Sequence, residues 1–195
     1  MQPTRQKVRA IMRAGARGSF ESLAGLTKMA VHYFIGGVPA TGKSWLGSWL
    51  AAERGYLHID AERNNGSNFD TADAHREWDE LVATGRARSF LGAIARLSKP
   101  VVVNWGFPTR CLYVVAALQE EGVQAWWFKA DRAQARAAFE KRGGLDVRCF
   151  DRQMNDIDRE WSSIKSVFGR QMVSGLHPDG SQRRPEDLWS EINAG

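Results

Sequence analysis

The amino-acid sequence predicts an α/β fold in which helices cover both faces of a five-stranded parallel sheet. Short β-branched and aromatic runs alternate with amphipathic segments between residues 29 and 195. The run Val101–Val103 is apolar throughout, as is typical of a strand buried on both faces. A glycine-rich octet, residues 37–44, joins the first such run to the first amphipathic segment. Strands that alternate with helices form parallel sheets, because each crossover returns the chain to the same end of the sheet.

The octet fits the phosphate-binding P-loop pattern G-x-x-x-x-G-K-[ST]. Two glycines allow the backbone to curl until several N–H groups point at one anion, and the following helix adds the positive end of its dipole. Lys43 is expected to reach the β and γ phosphates of a nucleotide, and the Ser44 hydroxyl to hold Mg²⁺. The residues predicted to bind phosphate are Gly37, Val38, Pro39, Ala40, Thr41, Gly42, Lys43 and Ser44. The alternative is a surface turn that contains these residue types by chance.

The elements nearest the octet follow from local patterns. The first strand is predicted at about residues 30–36, where aromatic and β-branched residues precede the loop. A helix over 43–54 follows, ended by Gly55, with one apolar face formed by Trp45, Leu46, Trp49 and Leu50. A short strand over 56–59 then delivers Asp60 at its carboxyl end, and residues 64–67 form a loop.

The rest of the chain continues the alternation. Two helices are predicted between residues 71 and 98, with a break near Gly85, before the strand 101–103. Pro108 and Thr109 begin a helix that Gly122 closes. The remaining predicted elements are a strand at 123–128, a basic helix at 132–142, one amphipathic helix at 151–168, a strand at 171–176 and a helix at 185–192.

Composition and charge bound the domain organisation. The chain has 195 residues and a net charge of +5, and this excess lies in residues 1–28, where six basic residues face Glu21 alone. We expect a basic leader over 1–28 and one catalytic domain over 29–195. The leader has three interpretations: a disordered or weakly helical tail, a stretch upstream of a start at Met29, or a transit-type peptide. The neutral remainder carries no overall basic bias typical of a nucleic-acid groove.

Cysteine usage and hydropathy add two expectations. Cys111 and Cys149 are not in a metal-binding spacing, so free reduced thiols are predicted. No apolar run approaches the ~20 residues that a membrane span requires. A cytoplasmic protein without membrane association is therefore expected.

Two carboxylates follow the second strand. Asp60 is predicted to lie beside the P-loop, because ligands of such sheets bind at the carboxyl ends of the strands. It is the first candidate for accepting the proton of a phosphate acceptor and for helping Ser44 to hold Mg²⁺. Glu62 is the reserve candidate. A helix cap or an ordinary loop carboxylate is the alternative for both.

Arginines follow the fourth strand. Arg132, Arg136 and Arg142 occupy a segment that could close over the nucleotide, since guanidinium groups bind phosphate oxygens bidentately and keep their charge. Gly143 and Gly144 would serve as the hinge of this lid, or simply as a helix stop. A solvated basic helix face is the alternative for the arginines.

The end of the third strand carries Asn104 where many P-loop ATPases have an acidic residue, which argues against a motor-type ATPase. Trp105, Phe107 and Arg110 follow and are candidates for an acceptor pocket, although ordinary core packing also suits Phe107. A GTPase is disfavoured, because Phe128-Lys-Ala-Asp131 departs from the guanine-reading pattern N/T-K-x-D and no D-x-x-G element follows the third strand.

The motif GGVPATGKS, the strand that ends in Asp60 and the arginine-bearing segment together resemble the small P-loop kinases, nearest in pattern to polynucleotide 5′-kinase, chloramphenicol phosphotransferase and zeta toxin. The tail, residues 176–192, is similar to the last strand and helix of that group, which lie near the adenine. The resemblance spans roughly residues 30–192. It implies a P-loop NTPase fold with an arginine-bearing lid, ATP with Mg²⁺, and transfer of the γ-phosphate to a hydroxyl. It also implies Asp60 as general base, Arg136 and Arg142 as lid residues, and Arg184 near the nucleotide.

The sequence therefore predicts an ATP-dependent kinase acting on a hydroxyl of a nucleoside, nucleic acid or small metabolite. A polynucleotide 5′-kinase is a more specific alternative. Another is a phage-type kinase of a hydroxymethylated base in DNA, which Trp105 and the basic leader favour. An alternative of another class is a nucleotide-binding module that hydrolyses ATP slowly and acts through a partner.

Overall fold

The computed structural model describes residues 31–62, 72–106 and 109–194. The predicted leader, the loop at 64–67 and the candidate Phe107 lie outside these residues. Within the described residues, five strands form one sheet. They are β1 (Tyr33–Gly37), β2 (Leu57–Asp60), β3 (Val101–Asn104), β4 (Gln124–Lys129) and β5 (Met172–Ser174).

The helices of the described residues alternate with these strands. They are α1 (Lys43–Arg54), α2 (Ala72–Thr84), α3 (Ala87–Ala95), α4 (Leu112–Glu120), α5 (Arg132–Arg142), α6 (Val147–Arg159), α7 (Trp161–Phe168) and α8 (Pro185–Ala194), with a 3₁₀ turn at Thr109–Cys111 before α4. The predicted alternation is confirmed. Gly55 ends α1 in the left-handed conformation, with φ of 71°, as its position after the last apolar residue predicts.

The strands are parallel and lie in the order β2-β3-β1-β4-β5. Strand β1 is central, with Phe34 in register with Val103 on one side and Ala125 on the other. Asp60 is the register partner of Asn104, so these two side chains end neighbouring strands at the edge where β1 enters the P-loop. The predicted meeting of the loop, Asp60 and Asn104 is confirmed, because parallel strands present their carboxyl ends together.

Helices cover the sheet on both faces, and alternate residues of β1 divide between two cores. Phe34 belongs to a large core that includes residues of α2, α3, α4, α6 and α7. Tyr33 and Ile35 belong to a smaller core formed with α1 and α8. This division follows from the two-residue period of a strand, which sends neighbouring side chains to opposite faces. No helix within the described ranges has the length and apolar character to span a bilayer.

The structure corrects the predicted helix at 151–168. The segment forms two helices, α6 and α7, separated at Glu160, whose φ of −96° and ψ of 12° leave the helical range. Helix α6 also begins earlier than predicted, because Asp146 caps it by accepting a hydrogen bond from the Arg148 N–H at 2.9 Å. The change of direction lets Ile157 and Ile164 both enter the large core.

The structure also corrects the predicted apolar face of α1. The helix buries Leu46 and Leu50 as expected, but the Trp45 side chain is 44% exposed. Trp45 lies in the first turn of α1 and lines the cavity above the loop instead of packing in the core. Trp49 is half-buried, with the Arg54 guanidinium 5.1 Å from its ring centre.

Candidate active site

The P-loop begins as a tight contact between β1 and β4. Gly37 has φ of 132°, and a Cβ atom there would overlap the Phe128 backbone. The Val38 N–H donates to the Phe128 carbonyl at 2.9 Å, which holds the start of the loop against β4. Gly42 then adopts the left-handed conformation, with φ of 87°, and leads into α1. Only glycine suits this path at position 37, since any side chain would force the two strands apart.

The loop continues through a backbone conformation that side chains rarely adopt. Ala40 has φ of 60°, an arrangement that costs a non-glycine residue on the order of 1 kcal/mol. Thr41 is fully buried, and its hydroxyl donates to the Val38 carbonyl at 2.8 Å. The first amide groups of α1 lack acceptors within the helix, so they are available to an anion in the adjoining cavity.

Lys43 lies over the loop. Its Nζ donates to the carbonyls of Gly37 and Val38 at 3.1 and 2.9 Å. Burial lowers the pKa of this ammonium to about 8, against the opposing attraction of Glu62 and then of Asp60, while Arg142 lowers it further. Two of the three ammonium protons are engaged, which leaves the third for a phosphate oxygen.

Ser44, Asp60 and Asn104 form one hydrogen-bonded group beside the loop. The Ser44 hydroxyl donates to Asp60 Oδ2 at 3.2 Å and accepts from Asn104 Nδ2 at 3.2 Å. The second Asp60 oxygen, Oδ1, accepts from the Glu62 N–H at 3.2 Å. Asp60 is buried and Asn104 is completely so. Ser44 and Asp60, the two side chains predicted to hold Mg²⁺, are therefore hydrogen-bonded to each other, and Asn104 joins them through its amide.

These residues fit a magnesium ion. Mg²⁺ binds proteins through one or two oxygen ligands and fills its octahedron with phosphate oxygens and water. Ser44 and Asp60 offer a hydroxyl and a carboxylate oxygen at one point beside the phosphate-binding loop. In the described ranges no group of three or more His, Cys, Asp or Glu converges on a point. A site made of these two side chains and bound phosphate is thus the arrangement that this donor set supports.

A cavity of about 250 Å³ opens above the loop. Its walls come from the P-loop, the first turn of α1, the segment after β2, the region from α5 to α6, and the tail before α8. The lining residues are Pro39, Ala40, Thr41, Gly42, Lys43, Ser44, Trp45, Glu62, Phe139, Arg142, Leu145, Gln153 and Gln182. The reserve candidate Glu62 is thus on the cavity wall.

Gly106 explains how Glu62 reaches this wall. A Cβ atom on Gly106 would overlap Glu62 Oε1, so the carboxylate passes directly against the glycine backbone. Gln153, from α6, donates through Nε2 to the Gly106 carbonyl at 3.3 Å and lines the same cavity. No sequence signal indicated Gln153, because its partner is 47 positions away along the chain.

The predicted lid arginines separate in the structure. Arg142 lines the cavity, with its guanidinium 5.0 Å from the Phe139 ring centre. Arg136 is exposed instead and pairs with Glu140 and Asp151, each at 3.1 Å. Arg132 pairs with Asp158 at 2.9 Å on the same outer surface. The one arginine of this segment on the cavity wall is the one nearest the predicted hinge.

Three further residues predicted to lie at the site, Arg184, Trp105 and Arg110, lie elsewhere in the structure. Arg184 is exposed and pairs with Asp187 at 3.0 Å, whereas Gln182, two residues earlier, lines the cavity. Trp105 packs edge-on against Trp78, with ring centres 5.3 Å apart, and is part of the large core rather than of the cavity wall. Arg110 is exposed. The aromatic side chains that do line the cavity are Trp45 and Phe139.

Comparisons with known proteins place the fold. No family model matches this chain, and no curated protein matches it. A shikimate kinase from Bacteroides thetaiotaomicron is similar in structure, with 14% identity over 84% of this chain and 95% of that chain, at a TM-score of 0.52. A shikimate kinase from Acinetobacter baumannii in complex with shikimate has 14% identity over 85% and 92%, at 0.53. A gluconokinase from Sinorhizobium meliloti has 17% identity over 84% and 90%, at 0.48.

The fold and the loop together define the class. The chain has the α/β P-loop NTPase fold, with five parallel strands and the phosphate-binding loop between the central strand and α1. Its fold is similar to that of the two shikimate kinases.

Proposed function

We propose that this protein is an ATP-dependent phosphotransferase that moves the γ-phosphate of ATP to a hydroxyl group of an acceptor. The observation that carries the proposal is a shared cavity. The P-loop with Lys43 and Ser44 forms one wall, and Glu62 and Arg142 stand on the others. Phosphoryl transfer needs positioned phosphates, neutralised charge and a group that orients the acceptor hydroxyl, and this cavity brings residues for all three together.

The phosphate side of the cavity has defined roles. The loop amides and the third proton of Lys43 bind the terminal phosphates, and Ser44 with Asp60 holds Mg²⁺. Bound Mg²⁺ neutralises part of the charge on the phosphate oxygens. Arg142 supplies a guanidinium that offsets the charge developing on the transferred group.

On the acceptor side, we assign the proton-accepting role to Glu62. Asp60 is not part of the cavity lining, and its two oxygens accept hydrogen bonds from the Ser44 hydroxyl and the Glu62 N–H beside the proposed Mg²⁺ position. The Glu62 carboxylate instead lines the cavity and exerts the largest attraction on Lys43 of the neighbouring charges. Asp60 as the base, the assignment that the sequence favoured, is the competing hypothesis.

A pair of amide variants separates these two assignments. We expect Glu62→Gln to lower kcat at least ~100-fold, the usual range for loss of a general base, with little change in Mg·ADP affinity. Asp60→Asn should weaken the affinity for Mg²⁺ as well, because it removes a charged ligand. An Asp60→Asn protein that keeps its Mg²⁺ affinity and loses only kcat would assign the base to Asp60.

A panel of hydroxyl-bearing compounds can identify the phosphate acceptor. The cavity is small and must also hold the terminal phosphate, which favours a small hydroxylated molecule or a single exposed nucleotide. The panel should contain hydroxylated ring acids such as shikimate, sugar acids such as gluconate, nucleosides, 5′-hydroxyl oligonucleotides and DNA with hydroxymethylated bases. Acceptor-dependent ADP release that Lys43→Ala abolishes would support the kinase.

One outcome of the ADP-release assay would point to a different class of protein. Turnover that needs no acceptor and survives both Asp60→Asn and Glu62→Gln would favour a slow ATPase module that acts through a partner.

For an oligonucleotide acceptor, binding that relies on backbone phosphates should weaken steeply with salt. Salt-independent binding would show that the acceptor is recognised through its base alone.

A further inference from the structure

We propose that His58 and Asn104 are positioning residues that set the direction of the Ser44 hydroxyl, so that its free lone pair faces the magnesium position. The inference rests on the proposed function, because it assigns Ser44 as a ligand of Mg²⁺. It concerns side chains that no simple motif connects, since His58, Asn104 and Ser44 come from three different elements.

The side chains form a continuous chain of hydrogen bonds. His58 Nε2 contacts Asn104 Oδ1, and Asn104 Nδ2 donates to Ser44 Oγ at 3.2 Å. Ser44 Oγ in turn donates to Asp60 Oδ2 at 3.2 Å. At the outer end, His58 Nδ1 lies 3.4 Å from Ser48 Oγ, one turn of α1 beyond Ser44. The chain thus leaves α1 at Ser48, returns to it at Ser44 and ends at Asp60 of β2.

The direction of these bonds follows from the number of protons available. Asn104 Oδ1 is an acceptor only, so His58 must carry its proton on Nε2. The amide therefore presents its N–H₂ group to Ser44. A hydroxyl has one proton and two acceptor sites, so Ser44 accepts from Asn104, donates to Asp60 and retains one lone pair. A carboxylate at position 104 could not donate and would compete with Asp60 for the Ser44 proton.

Local packing is adapted to the imidazole. A Cβ atom on Gly47 would lie 2.5 Å from His58 Cδ2 and 2.9 Å from Cε1. A glycine inside a helix is less favourable than alanine, and here it leaves the space that the ring occupies. Asn104 is completely buried and is the register partner of Asp60. Helix α1 and both strands therefore hold the chain in place.

Binding measurements test the proposal without any acceptor. ADP affinity is measured by calorimetry with and without Mg²⁺ for Asn104→Leu and His58→Leu, which remove the chain at two points. Partners that orient metal ligands typically contribute 10–100-fold to metal affinity. We therefore expect the apparent Mg²⁺ affinity of the ADP complex to fall about tenfold in both variants, while ADP affinity without Mg²⁺ stays within about threefold.

Conservative variants make the result specific. His58→Gln places an N–H donor near the Nε2 position and should restore Mg²⁺ affinity to within about threefold of wild type. Ser48→Ala removes only the long outer contact and should behave as wild type. Gly47→Ala keeps every polar group but displaces the ring, so it should reproduce the loss seen in His58→Leu. This variant also tests the proposal if Asn104→Leu fails to fold.

A spectroscopic measurement reads the arrangement directly. The ¹⁵N shifts of the His58 imidazole, recorded at alkaline pH, should report a neutral ring protonated at Nε2. Protonation at Nδ1 would overturn the proposal, as would unchanged Mg²⁺ affinity in Asn104→Leu and His58→Leu. Equal losses of ADP affinity with and without Mg²⁺ would also overturn it, because they indicate general damage to the loop. A wild-type protein that binds no Mg·ADP would instead overturn the proposed function itself.

Discussion

Lys43 is a buried lysine whose ammonium group faces the phosphate-binding loop. Its ammonium is held by two carbonyl groups of the loop, and burial lowers its pKa to about 8. A bound phosphate stabilises the charged form, so the pKa must rise when a nucleotide binds. Lys43 therefore couples nucleotide affinity to pH in a range where few other side chains titrate.

This coupling predicts that the protein takes up protons when the nucleotide binds. Lys43 is partly neutral near its pKa of about 8 when no nucleotide is bound. The protein should therefore take up about half a proton per Mg·ADP bound at pH 8, and about a tenth at pH 7. Affinity should fall as the pH rises above 8. Calorimetry in buffers of different ionisation enthalpy measures the uptake. Lys43→Met is the control, and equal uptake by this variant and wild type would contradict the prediction.

Arg142 and Arg136 offer a matched pair on one helix. Arg142 lines the cavity, whereas Arg136 binds Glu140 and Asp151 at the surface. We expect Arg142→Ala to lower kcat about 100-fold, the typical loss when a preorganised charge is removed from a transferring group. Arg136→Ala should change kcat less than about threefold, because this guanidinium is exposed and pairs with carboxylates away from the cavity. Steady-state kinetics of both variants test this difference. A comparable loss of kcat in Arg136→Ala would place Arg136 in the site as well.

The end of β5 shapes the P-loop from behind. A Cβ atom on Gly175 would lie 2.7 Å from the Thr41 Cβ and would overlap the Thr41 carbonyl. The Gly175 N–H donates to the Lys129 carbonyl at 3.1 Å, which ties this residue to β4. Because β4 is inside the sheet, the loop is the part that must yield to a larger residue. The shape of the phosphate site thus depends on a strand more than 130 residues further along the chain.

Gly175→Ala tests this dependence. Overpacking of this kind costs about 1–3 kcal/mol, so we expect ADP affinity to fall about tenfold. Gly92→Ala is the control, because Gly92 is exposed on α3 and nothing lies within 4 Å of its added Cβ. The control should raise the free energy of unfolding by about 0.5–1 kcal/mol and leave ADP affinity unchanged. Wild-type affinity in Gly175→Ala would show that the loop tolerates displacement.

The loop also connects nucleotide binding to the stability of the whole domain. It leaves from β1, the central strand, which pairs with β3 and β4 and divides its side chains between both cores. A ligand held by the loop therefore stabilises the sheet as a unit rather than one peripheral segment.

A thermal measurement checks this linkage. At one hundred times its Kd, a ligand adds about 2.7 kcal/mol to the free energy of unfolding. For a domain of this size, we expect Mg·ADP at that concentration to raise the Tm by about 5–10 °C. Lys43→Ala should lose most of the shift at the same ligand concentration. Binding of Mg·ADP that leaves the Tm unchanged would contradict the linkage.

Local patterns were sufficient for the parts of this protein that short stretches of chain specify. The octet, the left-handed glycine at 55 and the start of α5 at Arg132 each depend on the conformations and hydrogen bonds of adjacent residues. Alternation of strands and helices then implied a parallel sheet, and with it the meeting of Asp60 and Asn104 at one edge. The predicted fold is confirmed on this basis.

Contacts between distant segments decided the rest. The packing of helices across the sheet decides the strand order and the exposure of Trp45. It also separates Arg142 from Arg136 and brings Gln153 and Gln182 to the cavity wall. The same holds for Glu62, which reaches the cavity because Gly106 leaves room for it. Periodicity shows which face of an element is buried, but which side chains meet is set by the close packing of segments far apart in the chain.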